Sequence, residues 1–101
     1  MFQSLPVSEF EKYLQQDNVV LLDVRTPEEL EIFGTISDTQ LHIDCSRPEN
    51  QSAFLDLDRS KKYALYCFHG NRSRQIGQWL DAQGFDCVDL QGGIAAFHDE
   101  K

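Results

Sequence analysis

The sequence predicts an α/β fold: one domain over residues 1–101, with a central, mostly parallel sheet carrying helices on both faces. Three observations predict it. Apolar, β-favouring runs alternate with helix-like segments about four times along the chain. The run Val19-Val20-Leu21-Leu22-Asp23-Val24 is apolar on both faces, as strands covered on both sides are. Cap residues and glycines punctuate the segments between, and no repeat, low-complexity stretch or linker interrupts the alternation.

The elements follow in order. Ser8-Glu9-Phe10-Glu11 has the form of a capping box and predicts a helix over residues 8–16, carrying Phe10, Tyr13 and Leu14 and broken by Asp17-Asn18. The strand over residues 19–24 comes next. Thr26 then reads as a helix cap, with Pro27 at the first helical position and Glu28 and Glu29 in the first turn, so a short helix should run to Phe33 and stop at Gly34. Residues 35–40 are polar and irregular, and Leu41-His42-Ile43-Asp44 alternates like a short strand. Pro48 should open a helix with Phe54, Leu55 and Leu57 inward. A charged turn, Asp58-Arg59-Ser60-Lys61-Lys62, leads into a strand over residues 63–67. The best helical pattern covers residues 73–83 and is closed by Gly84. A last strand over 85–90 turns at Gly92-Gly93 into a short helix holding Ile94, Ala95 and Phe97.

Composition narrows the function classes. The net charge of −8 repels phosphates and anionic lipid, and the nine basic residues are scattered apart from Lys61-Lys62 and the Arg72/Arg74 pair. Neither a nucleic-acid partner nor a membrane is expected, since no run approaches the length of a span. The first six residues carry no basic region followed by a long apolar one, so a cytoplasmic protein is expected. An anionic substrate would need a local positive site, and His69, Arg72 and Arg74 beside Cys67 are the stretch that supplies one.

Three irregularly spaced cysteines do not suggest a disulfide framework. Cys87 reads as inert core, and Cys45 as a half-exposed thiol with a redox or resolving role as the alternative. Cys67 differs. In Tyr66-Cys67-Phe68-His69-Gly70-Asn71-Arg72-Ser73-Arg74 it ends a buried strand and enters a glycine-containing turn onto a helix start. Backbone N–H groups at a helix start favour an anion, and a thiolate is the nucleophilic form of cysteine. His69 reads either as a solvated loop residue or as a donor to an anionic ligand, and Arg72 either as surface charge or as a substrate ligand. Asp23 and Arg25 read as a polar pair tying down the turn after their strand, with a catalytic pair as the alternative. A zinc site from His42, Cys45, Cys67 and His69 lacks the usual ligand spacing. Phosphatase chemistry is disfavoured because only four residues separate Cys67 from Arg72, one too few to wrap a phosphate.

Three stretches together resemble the rhodanese family. They are residues 21–29, with Asp23-Val24-Arg25-Thr26-Pro27-Glu28-Glu29; the loop from Tyr66-Cys67 to Arg72-Ser73; and residues 84–94, with Gly84-Phe85-Asp86 and Leu90-Gln91-Gly92-Gly93-Ile94. The likeness covers nearly the whole chain in order and is strongest to short single-domain bacterial thiosulfate sulfurtransferases. The chain departs from the family in Gly34-Thr35-Ile36-Ser37-Asp38-Thr39, which lacks the usual histidine, proline and second glycine, and in Phe97, which stands for a tryptophan. The resemblance implies a sulfurtransferase in which Cys67 takes sulfur from a thiosulfate-like donor as a persulfide and passes it to cyanide or a protein thiol, without metal or organic cofactor. It further implies that Phe68, His69, Gly70, Asn71, Arg72 and Ser73 bind the substrate, their N–H groups surrounding the outer sulfur. A carrier or regulatory module without turnover is the alternative, and arsenate or phosphate-ester chemistry is a weaker third reading.

Overall fold

The apolar runs do form one sheet, and every strand in it is parallel to its neighbours. The computed structural model describes residues 1–100. The chain runs β1 (Gln3–Leu5), α1 (Val7–Leu14), β2 (Val19–Asp23), α2 (Pro27–Phe33), β3 (Leu41–His42), a 3-10 turn (Pro48–Asn50) continuing into α3 (Gln51–Leu55), β4 (Lys62–Tyr66), α4 (Asn71–Ala82), β5 (Asp86–Leu90) and α5 (Gly93–Asp99). Strand order is β1-β5-β4-β2-β3.

Alternation along the strands divides the core. Leu22 and Val24 of β2 with its extension, and Tyr63, Leu65 and Cys67 of β4 with its extension, face α3 and α4, where Phe54 and Leu80 meet them. Leu21, Ala64, Tyr66, Val88 and Leu90 point the other way, onto Val7 and Phe10 of α1 and Ile94 of α5. Phe10, Leu22, Leu65 and Leu80 are fully buried, each contributing on the order of 2 kcal/mol. Helices therefore cover both faces, as the alternation of runs predicts. No helix of the described residues is long and apolar enough to cross a membrane.

Several boundaries differ from expectation for identifiable reasons. The edge strand β1 has no signal in the sequence, because Gln3-Ser4-Leu5 is short, mostly exposed and without apolar period. The capping box at Ser8 does not form: α1 starts at the buried Val7, with Pro6 in the cap position, so Ser8 is already inside the helix. The box at Thr26 does form. The Glu29 N–H donates to Thr26 Oγ1, and the Thr26 N–H donates to Glu29 Oε1 at 3.0 Å. The helix at Pro48 splits into a 3-10 turn and a short α-helix, which buries Phe54 but leaves Leu55 at the surface. Strand β4 ends at Tyr66, one residue earlier than read, and α4 begins at Asn71, two residues earlier.

Asp23 and Arg25 are scaffold. Both are fully buried, and Arg25 Nε and Nη2 donate to the two carboxylate oxygens at 2.9 and 2.7 Å. Burial alone would push the Asp23 carboxyl up, but the hydrogen bonds from Arg25 outweigh it and hold it below its usual range. Arg25 Nη2 also donates to the Gly34 carbonyl, Gln40 Nε2 donates to Asp23, and the Tyr66 hydroxyl receives the Ile36 N–H and donates to Gln40 Oε1. This network anchors the atypical connection over residues 34–40.

Candidate active site

The chain leaves the sheet at Cys67, and the turn that follows is built by Gly70. Its φ of +104° is a left-handed conformation that L side chains rarely adopt, and a Cβ there would stand 3.1 Å from the Gly92 nitrogen. The turn folds the start of α4 back over the cysteine. The Gly70 and Ser73 N–H groups donate to Cys67 Sγ at 3.1 and 3.4 Å. Asn71 and Arg72 are the first two residues of α4, so their N–H groups have no acceptor within the helix. The arrangement favours an anion at the sulfur. From below, the Ile94 and Ala95 N–H groups donate to the carbonyls of Cys67 and Phe68 at 2.9 and 3.0 Å. Gly93 makes this approach feasible: its φ is +65°, and a Cβ would fall 2.2 Å from the Phe68 oxygen.

The predicted site residues divide by position. Cys67, Gly70 and Ser73 are buried and mutually bonded. Phe68 is half-buried and packs on Phe33 with ring centres 4.8 Å apart. His69 is exposed, its ring edge-on to Phe68 at 4.6 Å. Asn71 is exposed, and its Oδ1 accepts a long bond from Arg74 Nη2 at 3.4 Å. The Ser73 side chain is directed inward, donating to Asp89 Oδ2 at 2.6 Å.

Arg72 has a partner that spacing could not reveal. Its Nη1 and Nη2 donate to Glu29 Oε1 and Oε2 at 2.7 and 2.8 Å, a bidentate pair that joins the loop to the cap of α2. Arg72's hydrogen bonds are the main cause holding the Glu29 carboxyl at about 2, well below its ordinary value. Glu29 and Asp89 are the two residues that sequence reasoning missed. Asp89 carried a usable signal, as a carboxylate inside the buried strand Cys87-Val88-Asp89-Leu90. For Glu29 the capping box masked the second role.

The other cysteines are placed differently. Burial pushes the Cys87 thiol up to about 12, consistent with inert core. Cys45 is half-buried on the wall of a groove of about 310 Å³ between the 3-10 turn, α3 and α4, with Phe54, Ile76 and Trp79. Burial pushes its thiol up as well. Cys67 does not line this groove, yet it is Cys67 that has two backbone donors aimed at its sulfur. His42 Nε2 lies 2.6 Å from the Arg25 carbonyl oxygen, and no cluster of three or more potential metal ligands occurs among the described residues.

Known proteins resemble this chain in sequence and fold. The family profile described as Rhodanese-like domain matches residues 6–100. A Bacillus subtilis (strain 168) protein named "Putative sulfurtransferase YtwF" is 35% identical over 91 residues, covering 89% of this chain and 84% of that protein. The tRNA sulfurtransferase of Vibrio cholerae serotype O1 is 36% identical over 93 residues, covering 87% of this chain but 18% of that protein. The crystal structure of a rhodanese-related protein from Thermoplasma volcanium matches with a TM-score of 0.83 and 36% identity, over 97% of this chain and 92% of that one.

Proposed function

Because the chain belongs to the rhodanese-like domain family, whose sulfurtransferase relatives align along most of its length, we propose that it transfers sulfur through a persulfide on Cys67. The observation that carries this reading is the pair of N–H groups on Cys67 Sγ in a loop with four residues between Cys67 and Arg72. Four residues between Cys67 and Arg72 are one fewer than a phosphate-wrapping loop needs, which supports a sulfur atom over a tetrahedral phosphate as the group held.

In the proposed cycle the Cys67 thiolate attacks the outer sulfur of a thiosulfate-like donor. The donor S–S bond breaks, sulfite leaves with the bonding pair, and Cys67 carries one additional sulfur as an anionic persulfide. The N–H groups of Gly70 and Ser73, with those opening α4, hold this anion as an oxyanion hole holds oxygen. Cyanide or a protein thiolate then takes the outer sulfur, and the Cys67 thiolate is restored. Charge and atoms balance in both steps without a cofactor. The net charge of −8 repels anions, so a donor anion depends on local attraction from Arg74, His69 and the loop N–H groups, while Arg72 is already paired with Glu29.

A second reading is a carrier or regulatory module without turnover. It is favoured by the 1% exposure of Cys67 and by the Glu29 clamp on Arg72, which engages the guanidinium before any donor arrives. Thiocyanate production from thiosulfate and cyanide separates the possibilities. Wild type should turn over and Cys67→Ser should not. Full activity in Cys67→Ser would sink both readings, whereas a wild type that loads sulfur but discharges it slowly to cyanide favours the carrier.

A further inference from the structure

Beneath the loop, the buried Ser73 side chain connects Cys67 to a carboxyl group that the sulfur-transfer cycle does not use. Cys67 Sγ donates to Ser73 Oγ at 3.5 Å, and Ser73 Oγ donates to Asp89 Oδ2 at 2.6 Å. The second oxygen, Oδ1, accepts from Ser4 Oγ of β1 at 2.5 Å. Cys67, Ser73 and Asp89 are 1%, 0% and 1% exposed. We propose that Asp89, acting through Ser73, holds the proton that leaves Cys67 when its sulfur becomes an anion.

Electrostatics favours a proton at Asp89 when the sulfur is charged. Asp89 makes no salt bridge among the described residues, in contrast to Asp23 with its buried arginine. From β1 it is faced by Ser4, from β4 by its register partner Leu65, from α4 by Ser73, and along its own strand by Cys87. Arg74, on the exposed side of α4, acts on it only through space. Burial pushes the Asp89 carboxyl up, against the two hydroxyl donors. A thiolate and a carboxylate enclosed this closely without a buried cation repel each other, and a proton held at Asp89 relieves that repulsion when the sulfur is an anion. Ser73 supplies the route. The thiol proton passes to Ser73 Oγ as the Ser73 hydroxyl proton passes to Asp89 Oδ2. No net charge is created in the interior and no co-reactant is needed. When an acceptor removes the outer sulfur, the same two shifts can run backwards. Asp89 is thus a positioning residue for the proton, while Cys67 remains the group that reacts.

Infrared difference spectra of sulfur-loaded minus free protein test this, with loading by thiosulfate checked by intact mass. Wild type should gain a protonated-carboxyl band on loading, and Asp89→Asn, which keeps the shape but not the proton site, should gain none. Ser4→Ala, which leaves Ser73 between the two groups, should retain the band. A loaded wild type without the band, or a band that persists in Asp89→Asn, overturns the proposal. If Asp89→Asn fails to fold, loaded wild type carrying isotope-labelled aspartate decides alone, a band that does not shift with the label being the overturning result. The proposal rests on the persulfide reading for what the thiolate attacks, and the two fail separately: an unchanged mass is failure to load sulfur, and a loaded mass without the band is failure to hold the proton.

Discussion

Replacing Glu29 with Gln removes one charge from the clamp on Arg72 and leaves the side chain's shape in place. The Glu29 carboxyl falls from an ordinary value of 4.5 to about 2 in the folded chain. At about 1.4 kcal/mol per pH unit, that drop corresponds to roughly 3 kcal/mol of stability. The Glu29 side chain is 21% exposed and Arg72 is 38% exposed, so solvent screening reduces the expected value to about 1–2 kcal/mol. The direction with pH follows from the lowered value. The contribution is complete above about pH 4.5, where the unfolded carboxyl is also ionised, and disappears as pH falls toward 2. Urea unfolding of wild type and Glu29→Gln at neutral pH and near pH 3 measures it. The variant should be less stable at neutral pH by about 1–2 kcal/mol, and under about half of that difference should remain near pH 3. A difference of equal size at both pH values, or none at neutral pH, refutes the clamp.

Two further substitutions test other supports of the loop. Gly93→Ala places a methyl group 2.2 Å from the Phe68 oxygen at a φ of +65° and breaks the bonds from Ile94 and Ala95 to the loop carbonyls. It should cost about 3–4 kcal/mol in chemical denaturation and slow sulfur loading at least about tenfold, and a variant with wild-type stability contradicts the packing described. Arg25→Met leaves Asp23 buried without its partner and should cost about 3–5 kcal/mol at neutral pH. The deficit should shrink in acid: Arg25 holds the folded Asp23 carboxyl low, so its stabilising contribution is present above the ordinary carboxylate range and lost as pH falls. A loss below about 1 kcal/mol in the melting curve at neutral pH would mean that the pair contributes little.

Much of this architecture was legible in the chain because the strands β2 and β4 are largely apolar runs and the punctuation between the elements is local. Thr26-Pro27-Glu28-Glu29 encodes its own helix start, and the bonds at Thr26 form as read. Ser8 shows the limit of the same logic: burying Val7 outweighs the cap that Ser8 could have made, and the helix starts earlier. Strand β1 has no pattern of its own and exists because β5 offers an edge to Gln3, Ser4 and Leu5. At the site, Cys67 and the donors of Gly70 and Ser73 lie within one loop, so spacing alone brought them together. Glu29 and Asp89 reach the loop from other elements, 43 and 16 residues away from Arg72 and Ser73 in sequence. Their approach depends on the packing of α2 and β5, which no local pattern records. That is also why Arg72 reads from sequence as surface charge or substrate ligand, while its guanidinium is already paired with Glu29.

The central claim is that Cys67 accepts sulfur. Its most direct test is the intact mass of wild type and Cys67→Ser, measured side by side after exposure to thiosulfate under non-reducing conditions. The account predicts that wild type gains one sulfur atom, mapped by peptide digestion to Cys67, while the variant stays at its starting mass. An unchanged wild type, or equal sulfur gain in both proteins, would contradict it.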